Sequence, residues 1–130
     1  RKMHEAKIDN KDVVLWGDGS PLREFTYSKD LADILLFLLK YYNKPEPINI
    51  GNTAEYSIKE VAEIIAKIVN FDGQIIWNTS APMGQHRKPS DNSKLIGLGW
   101  EKKGYTDLTK ALTQTYKSFK IYYPNLRGIN

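Results

Sequence analysis

The chain has 130 residues, of which 41% are hydrophobic and 26% charged, and these values suit one globular domain. It contains no cysteine, which excludes disulfides, thiolate metal sites and thiol nucleophiles and fits a cytoplasmic protein. The net charge of +4 is spread along the chain, so a nucleic-acid partner is not favoured, and no apolar run reaches the ~18 residues that a membrane span needs.

The first third of the chain predicts a helix, two extended segments and a second helix. Residues 1–7 read as a helix already under way, because no capping residue precedes them. Val13 to Trp16 form an apolar strand that ends in a glycine-rich turn, and residues 23–27 form a second short extended piece. Ser28 is expected to cap a helix whose apolar face carries Leu31, Ile34, Leu35 and Leu38.

The middle of the chain predicts two short strands on either side of a helix. Residues 47–51 read as a brief strand. Ser57 and Glu60 have the spacing of a capping box, which satisfies the free N–H groups of a helix start. The helix that follows presents Ile58, Val61, Ile64, Ile65 and Ile68 to a core, and residues 74–77 return to strand.

The last third predicts a loop and two helices. Residues 78–91 lose all periodicity and are rich in Ser, Pro, Gly and basic side chains, as expected of a ligand-facing loop. A short helix follows at 92–98, and Thr106 is expected to cap a final helix. Short strands alternating with three main helices indicate an α/β fold, and the absence of a linker favours one domain over residues 1–130.

The turn after the first strand is the first candidate binding site. Trp16 places an aromatic ring at the mouth of a loop, and Arg23 follows seven residues later. A guanidinium group can hold a phosphate through two parallel hydrogen bonds. Core packing of Trp16 and a surface ion pair of Arg23 with Glu24 or another acid are the structural alternatives. The turn itself lacks the spacing of a phosphate-binding P-loop.

The loop at 85–91 is the second candidate, because the adjacent cations Arg87 and Lys88 offer charged hydrogen bonds to phosphate or ribose oxygens. A solvated basic loop is the alternative. Tyr116 and Lys120 match the Y-x-x-x-K pattern of dehydrogenases, but Tyr116 lies on the apolar face of the last helix, which favours packing. The two histidines are far apart in sequence, so no metal site is predicted.

Several motifs together resemble the family of GDP-L-fucose synthases, which are extended short-chain dehydrogenases. The matching segments are V-V-L-W-G-D-G-S-P-L-R-E-F at 13–25, D-L-A-D at 30–33, I-N-I-G at 48–51, S-I-K-E at 57–60, R-K with Asp91 at 87–91, and L-G-W at 98–100. These segments occur in the family's order and cover nearly the whole chain.

The resemblance implies the C-terminal, substrate-binding part of an NADP-dependent 3,5-epimerase/4-reductase that acts on GDP-4-keto-6-deoxymannose. By position, Trp16 matches a tryptophan that contacts the sugar nucleotide, Arg23 matches the arginine that binds its phosphates, and Lys88 and Lys2 match basic substrate-binding residues. Met83 replaces an acidic residue of the family, which weakens the expected selectivity for base or sugar.

The resemblance also implies what this chain does not carry. The NADP-binding Rossmann domain and the catalytic residues of the family lie upstream of the position that matches Arg1. We therefore expect no catalytic residue, no bound cofactor and no activity from this chain alone, and a homodimer for the intact enzyme.

Three alternatives remain open at this stage. The first is a stand-alone module that binds nucleotide sugars or docks onto a partner. The second is the corresponding domain of a related NDP-sugar epimerase or dehydratase. The third is a small basic nucleic-acid-binding domain.

Overall fold

A computed structural model describes residues 1–101 and 104–125, so residues 102–103 and 126–130 of the domain predicted over 1–130 lie outside the described residues. Within the described residues, five α-helices and four short strands make up a mixed α/β fold, as the sequence predicts. In chain order they are α1 (Lys2–Ile8), β1 (Val13–Trp16), β2 (Leu22–Glu24), α2 (Ser28–Tyr41), β3 (Glu55–Ser57), α3 (Ile58–Val69), β4 (Ile75–Asn78), α4 (Ser93–Gly97) and α5 (Leu108–Tyr122).

One part of the core lies between a small parallel sheet and two helices. Strands β1 and β4 pair in parallel, with Val13 opposite Ile75 and Trp16 opposite Asn78. Alternate side chains of a strand point to opposite faces. The buried residues of this cluster are Met3 from α1, Val13 and Ala62 from α3. Val14 and Ile76 project from the other face of the sheet and are 47% and 44% exposed, so that face is largely uncovered.

A second part of the core lies under α2. Its buried residues are Ile34, Leu38 and Leu95, and the indole ring of Trp100 packs against them. The rest of α2 is unusually apolar on its outer side: Leu36 is 66% and Leu39 83% exposed. Isolated exposed apolar residues are ordinary, but several on one helix indicate a contact surface.

The predicted capping box is confirmed and connects α3 to the glycine-rich turn. The Ser57 hydroxyl accepts a hydrogen bond from the Glu60 N–H at 3.1 Å, and the Glu60 carboxylate accepts one from the Ser57 N–H at 2.7 Å. The first N–H groups of α3 donate to the carbonyls of Pro21 and Gly19, at 3.0 and 2.9 Å. The helix start therefore fixes the turn that leads into β2.

Three local predictions are wrong. Tyr27, and not Ser28, occupies the N-cap position of α2, and Ser28 is the first helical residue. Residues 47–51 form no strand, because their isoleucines bury beneath α2 without a partner strand. Asp107 caps α5 in place of Thr106, whose hydroxyl donates instead to the buried carboxylate of Asp30 at 2.7 Å.

The sequence gives no hint of the strand β3, which pairs antiparallel with β2. Among the described helices, none combines the length and apolar character needed to cross a membrane.

Candidate functional site

Trp16 lies at the end of β1 with its side chain in solvent. The ring is 68% exposed, so the core-packing alternative for this residue does not hold. The Nζ of Lys2 lies 5.9 Å from the ring centroid and donates to the Val14 carbonyl at 3.4 Å. The structure therefore brings together two of the four predicted binding residues, a cation and an exposed aromatic surface on which a base or sugar can stack.

The loop after β4 runs beside this aromatic residue. We call residues 79–91 the basic loop; it has no helix or strand, as predicted. The Met83 side chain packs against the turn after Trp16, since a Cβ atom placed on Gly17 would lie 3.0 Å from the Met83 Cγ. Gly17 has a φ of 79°, which a residue with a side chain rarely adopts. A thioether, which is apolar and a weak acceptor, thus lies where the family resemblance leads us to expect a carboxylate.

Arg23 projects from β2 towards the basic loop. Its Nη1 donates to the Leu22 carbonyl at 2.6 Å, and its Nη2 donates to the Gln85 carbonyl at 2.7 Å. Among the described residues, Arg23 forms no ion pair with Glu24 or with another acid, so that alternative is not what the structure shows. A guanidinium has five N–H donors, so three remain available to an anion while two hold the group in place.

The two adjacent cations of the basic loop are in different situations. Arg87 donates from Nε and Nη2 to the Glu55 carboxylate, at 2.8 and 2.5 Å. These hydrogen bonds lower the pKa of the Glu55 carboxyl and raise that of the Arg87 guanidinium. Lys88 is exposed and makes no hydrogen bond or ion pair with any residue that the structure describes. Lys88 is thus the cation of this pair that an anionic ligand can use.

The dehydrogenase-like pattern on α5 has a packing role. The Tyr116 hydroxyl lies 3.0 Å from Nδ1 of His4, and its ring contacts those of His4 and Phe119. Burial is the main cause that lowers the pKa of His4, followed by nearby positive charges that include Lys120. Within residues 1–101 and 104–125, no group of three potential metal ligands occurs.

Sequence reasoning missed the carboxylates that hold the basic loop. Glu24 accepts hydrogen bonds from the N–H and hydroxyl of Ser90, at 3.0 and 2.5 Å, and Glu55 accepts those of Arg87. The partners are 66 and 32 residues apart in the chain, so no local pattern reveals them.

Comparisons with known proteins show which proteins this chain is similar to. Residues 1–51 match the model of the NAD dependent epimerase/dehydratase family. The chain is 48% identical over 118 residues to a putative GDP-L-fucose synthase 2 of Arabidopsis thaliana and 45% identical over 120 residues to a GDP-L-fucose synthase of Sinorhizobium fredii. These matches cover 90% and 92% of this chain but only 35% and 38% of the relatives, so the chain spans little more than a third of their length.

A solved structure is similar over nearly the whole chain. It is a GDP-L-fucose synthetase of Naegleria fowleri bound to NADP, with a TM-score of 0.90 and 35% identity. The similarity covers 97% of this chain and 40% of that one. The predicted α/β class is therefore confirmed.

Proposed function

We propose that this chain, a relative of GDP-L-fucose synthases that corresponds to their C-terminal part, is the substrate-binding domain of an NADP-dependent epimerase/reductase. The substrate we propose is GDP-4-keto-6-deoxymannose. Arg23 and Lys88 bind the diphosphate, Lys2 adds positive charge, and the Trp16 ring covers the base or the sugar.

The observation that carries this proposal is the availability of these groups. Trp16 is 68% exposed. Among the residues that the structure describes, the Arg23 guanidinium donates to two carbonyl oxygens and pairs with no carboxylate, so its charge is uncompensated. The neighbouring Arg87, by contrast, is neutralised by Glu55. An exposed aromatic ring together with uncompensated cations is suited to a nucleotide, because stacking and charged hydrogen bonds act on different parts of the same ligand.

In this proposal, NADP is bound by the part of the intact enzyme that the relatives contain and this chain does not cover. The glycine-rich turn of this chain does not fit a dinucleotide. The turn at Gly17–Gly19 leads into β2 and not into a helix start, and a Cβ on Gly19 would lie 2.7 Å from the Trp77 ring and 2.9 Å from the Lys59 Cβ. The turn is therefore closely packed at Gly19 and lacks the helix start that binds the pyrophosphate in a dinucleotide fold. We accordingly assign no catalytic residue to this chain and expect it to be inactive by itself.

Positioning is the contribution to catalysis that the site supports. A bound diphosphate fixes the keto sugar relative to reactive groups on another domain, and such orientation contributes a large share of many enzymatic rate enhancements. The exposed leucines of α2 provide an apolar surface for that domain. A cytoplasmic homodimer of the intact enzyme completes the proposal.

A calorimetric titration with GDP tests the proposed site, with UDP and ADP as matched controls. Selective binding of GDP, lost in Arg23→Ala, supports a guanine nucleotide site. Equal binding of all three nucleotides would reduce the site to a diphosphate clamp and favour the related NDP-sugar enzymes. Absence of binding at millimolar GDP would contradict a site that works within this chain.

A further inference from the structure

The basic loop is attached along three successive residues of β2. The Leu22 N–H donates to the His86 carbonyl at 2.8 Å, and Arg23 donates to the Gln85 carbonyl. Glu24 accepts two hydrogen bonds from Ser90. An irregular loop has no hydrogen-bond ladder of its own, so these attachments decide where its side chains stand.

The attachment at Glu24 is closely packed. Asn92 is buried and donates from Nδ2 to the Ser90 hydroxyl at 3.1 Å. Gly51 lies against the same pair: a Cβ at this position would be 2.2 Å from the Ser90 Oγ and 2.6 Å from the Glu24 Oε2. The backbone of Gly51 and the amide of Asn92 thus confine the carboxylate and the hydroxyl to one arrangement.

A second carboxylate holds the loop on the other side of Lys88. Glu55 stands directly opposite Glu24 in the β2–β3 pair and binds Arg87 through two nitrogens. Like charges directly opposite in an antiparallel pair repel each other and destabilise it. Here each carboxylate takes a separate partner in the loop, one immediately before Lys88 and one two residues after it.

We propose that Glu24 and Glu55 are positioning residues for the nucleotide site: they hold the basic loop on both sides of Lys88 and so fix the backbone position from which its side chain reaches the ligand. Neither carboxylate contacts the ligand. Lys88 has four flexible side-chain carbons, and only its backbone can be fixed by the protein before the ligand arrives. This inference rests on the proposed function, since it concerns how the same site is assembled.

The test is a double-mutant cycle between Glu24 and Lys88, with GDP affinity measured by calorimetry. Lys88→Ala should weaken binding about tenfold, as expected for one charged hydrogen bond. Glu24→Ala should weaken it by a similar factor, and adding Lys88→Ala to that variant should cost less than about twofold more. Glu24→Gln, which keeps an acceptor for the Ser90 N–H, should restore most of the affinity.

Independent, multiplicative losses in the cycle would overturn the inference, because a purely structural role of Glu24 does not couple to Lys88. Glu63→Ala removes an exposed carboxylate on α3 and serves as the matched control. Should Glu24→Ala fail to fold, Ser90→Ala removes only the hydroxyl of the same contact and replaces it in the cycle. If Lys88→Ala and Arg23→Ala both leave GDP binding unchanged, the proposed function itself fails. If these two variants weaken GDP binding and Glu24→Ala does not, only the positioning role of Glu24 fails.

Discussion

Replacing Arg23 with alanine should weaken GDP binding by roughly tenfold to a hundredfold. Two N–H groups of the guanidinium already bind the carbonyls of Leu22 and Gln85. The orientation of the side chain is therefore fixed before the ligand binds, and little side-chain entropy is lost on binding. One hydrogen bond to a charged group contributes about 1.5–3 kcal/mol, and about 1.4 kcal/mol corresponds to a tenfold change in affinity.

Arg23→Lys separates charge from geometry in the same assay. Lysine keeps the positive charge, but a single ammonium group cannot reach both carbonyls and a phosphate in the manner of the planar guanidinium. We expect this variant to lose most of the affinity that Arg23→Ala loses. Both variants also remove carbonyl contacts, which should lower the free energy of unfolding by about 1–2 kcal/mol.

The comparison is made by calorimetry on folded protein, with folding checked by thermal denaturation. Lys11→Ala is the matched control, because it removes one positive charge from an exposed pair with Asp9. Unchanged GDP affinity in a well-folded Arg23→Ala protein would refute the phosphate-binding role. An equal loss in Lys11→Ala would reduce the effect to net charge.

Three further predictions concern Met83, Tyr116 and His4. Met83→Asp should raise the preference for GDP over ADP by about tenfold, since a carboxylate can accept hydrogen bonds from a guanine edge. Competition titrations measure the ratio of the two affinities, and an unchanged ratio would mean that the base binds away from residue 83. Tyr116→Phe loses the hydrogen bond with His4 and should lower the free energy of unfolding, measured by urea denaturation, by about 1 kcal/mol. GDP affinity should stay unchanged, and a loss of affinity would contradict a packing role for Tyr116. Because burial lowers the pKa of His4, the unfolded chain takes up its proton first, so stability should be full above about pH 6.5 and fall as the pH decreases below it. His4→Gln should flatten this slope in urea denaturation between about pH 6.5 and 5, and an unaltered slope would assign it to other groups.

Features that depend on neighbouring residues could be predicted from the sequence. The capping box at Ser57 joins residues three apart, and β1 is an apolar run closed by glycine; both have the predicted bounds. Residues 47–51 show a similar local pattern, but their isoleucines are partly buried against the core cluster of Ile34, Leu38 and Leu95. Periodicity records which residues are apolar, and it does not record whether a partner strand exists.

Features that depend on distant residues could not be predicted. Thr106 looks like a cap, but the buried Asp30, 76 residues earlier, takes its hydroxyl. The residue pattern itself indicates Trp16, Arg23 and Lys88 as candidate binding residues, and the family resemblance adds Lys2 and the specific roles. Those binding roles stay predictions. Arg87 and Lys88 differ in their availability to a ligand because Glu55 binds Arg87. Glu55 lies on β3, a strand that the sequence does not predict.

A titration of isotope-labelled protein with GDP, followed by the indole N–H signals in NMR spectra, tests the central claim most directly. The chain has three tryptophans, and Trp16 is the exposed one at the site, whereas Trp100 packs in the core under α2. The signal of Trp16 should shift with saturation as GDP reaches millimolar concentration, while that of Trp100 stays in place. A Trp16 signal that does not move under these conditions would contradict a nucleotide site at the end of β1.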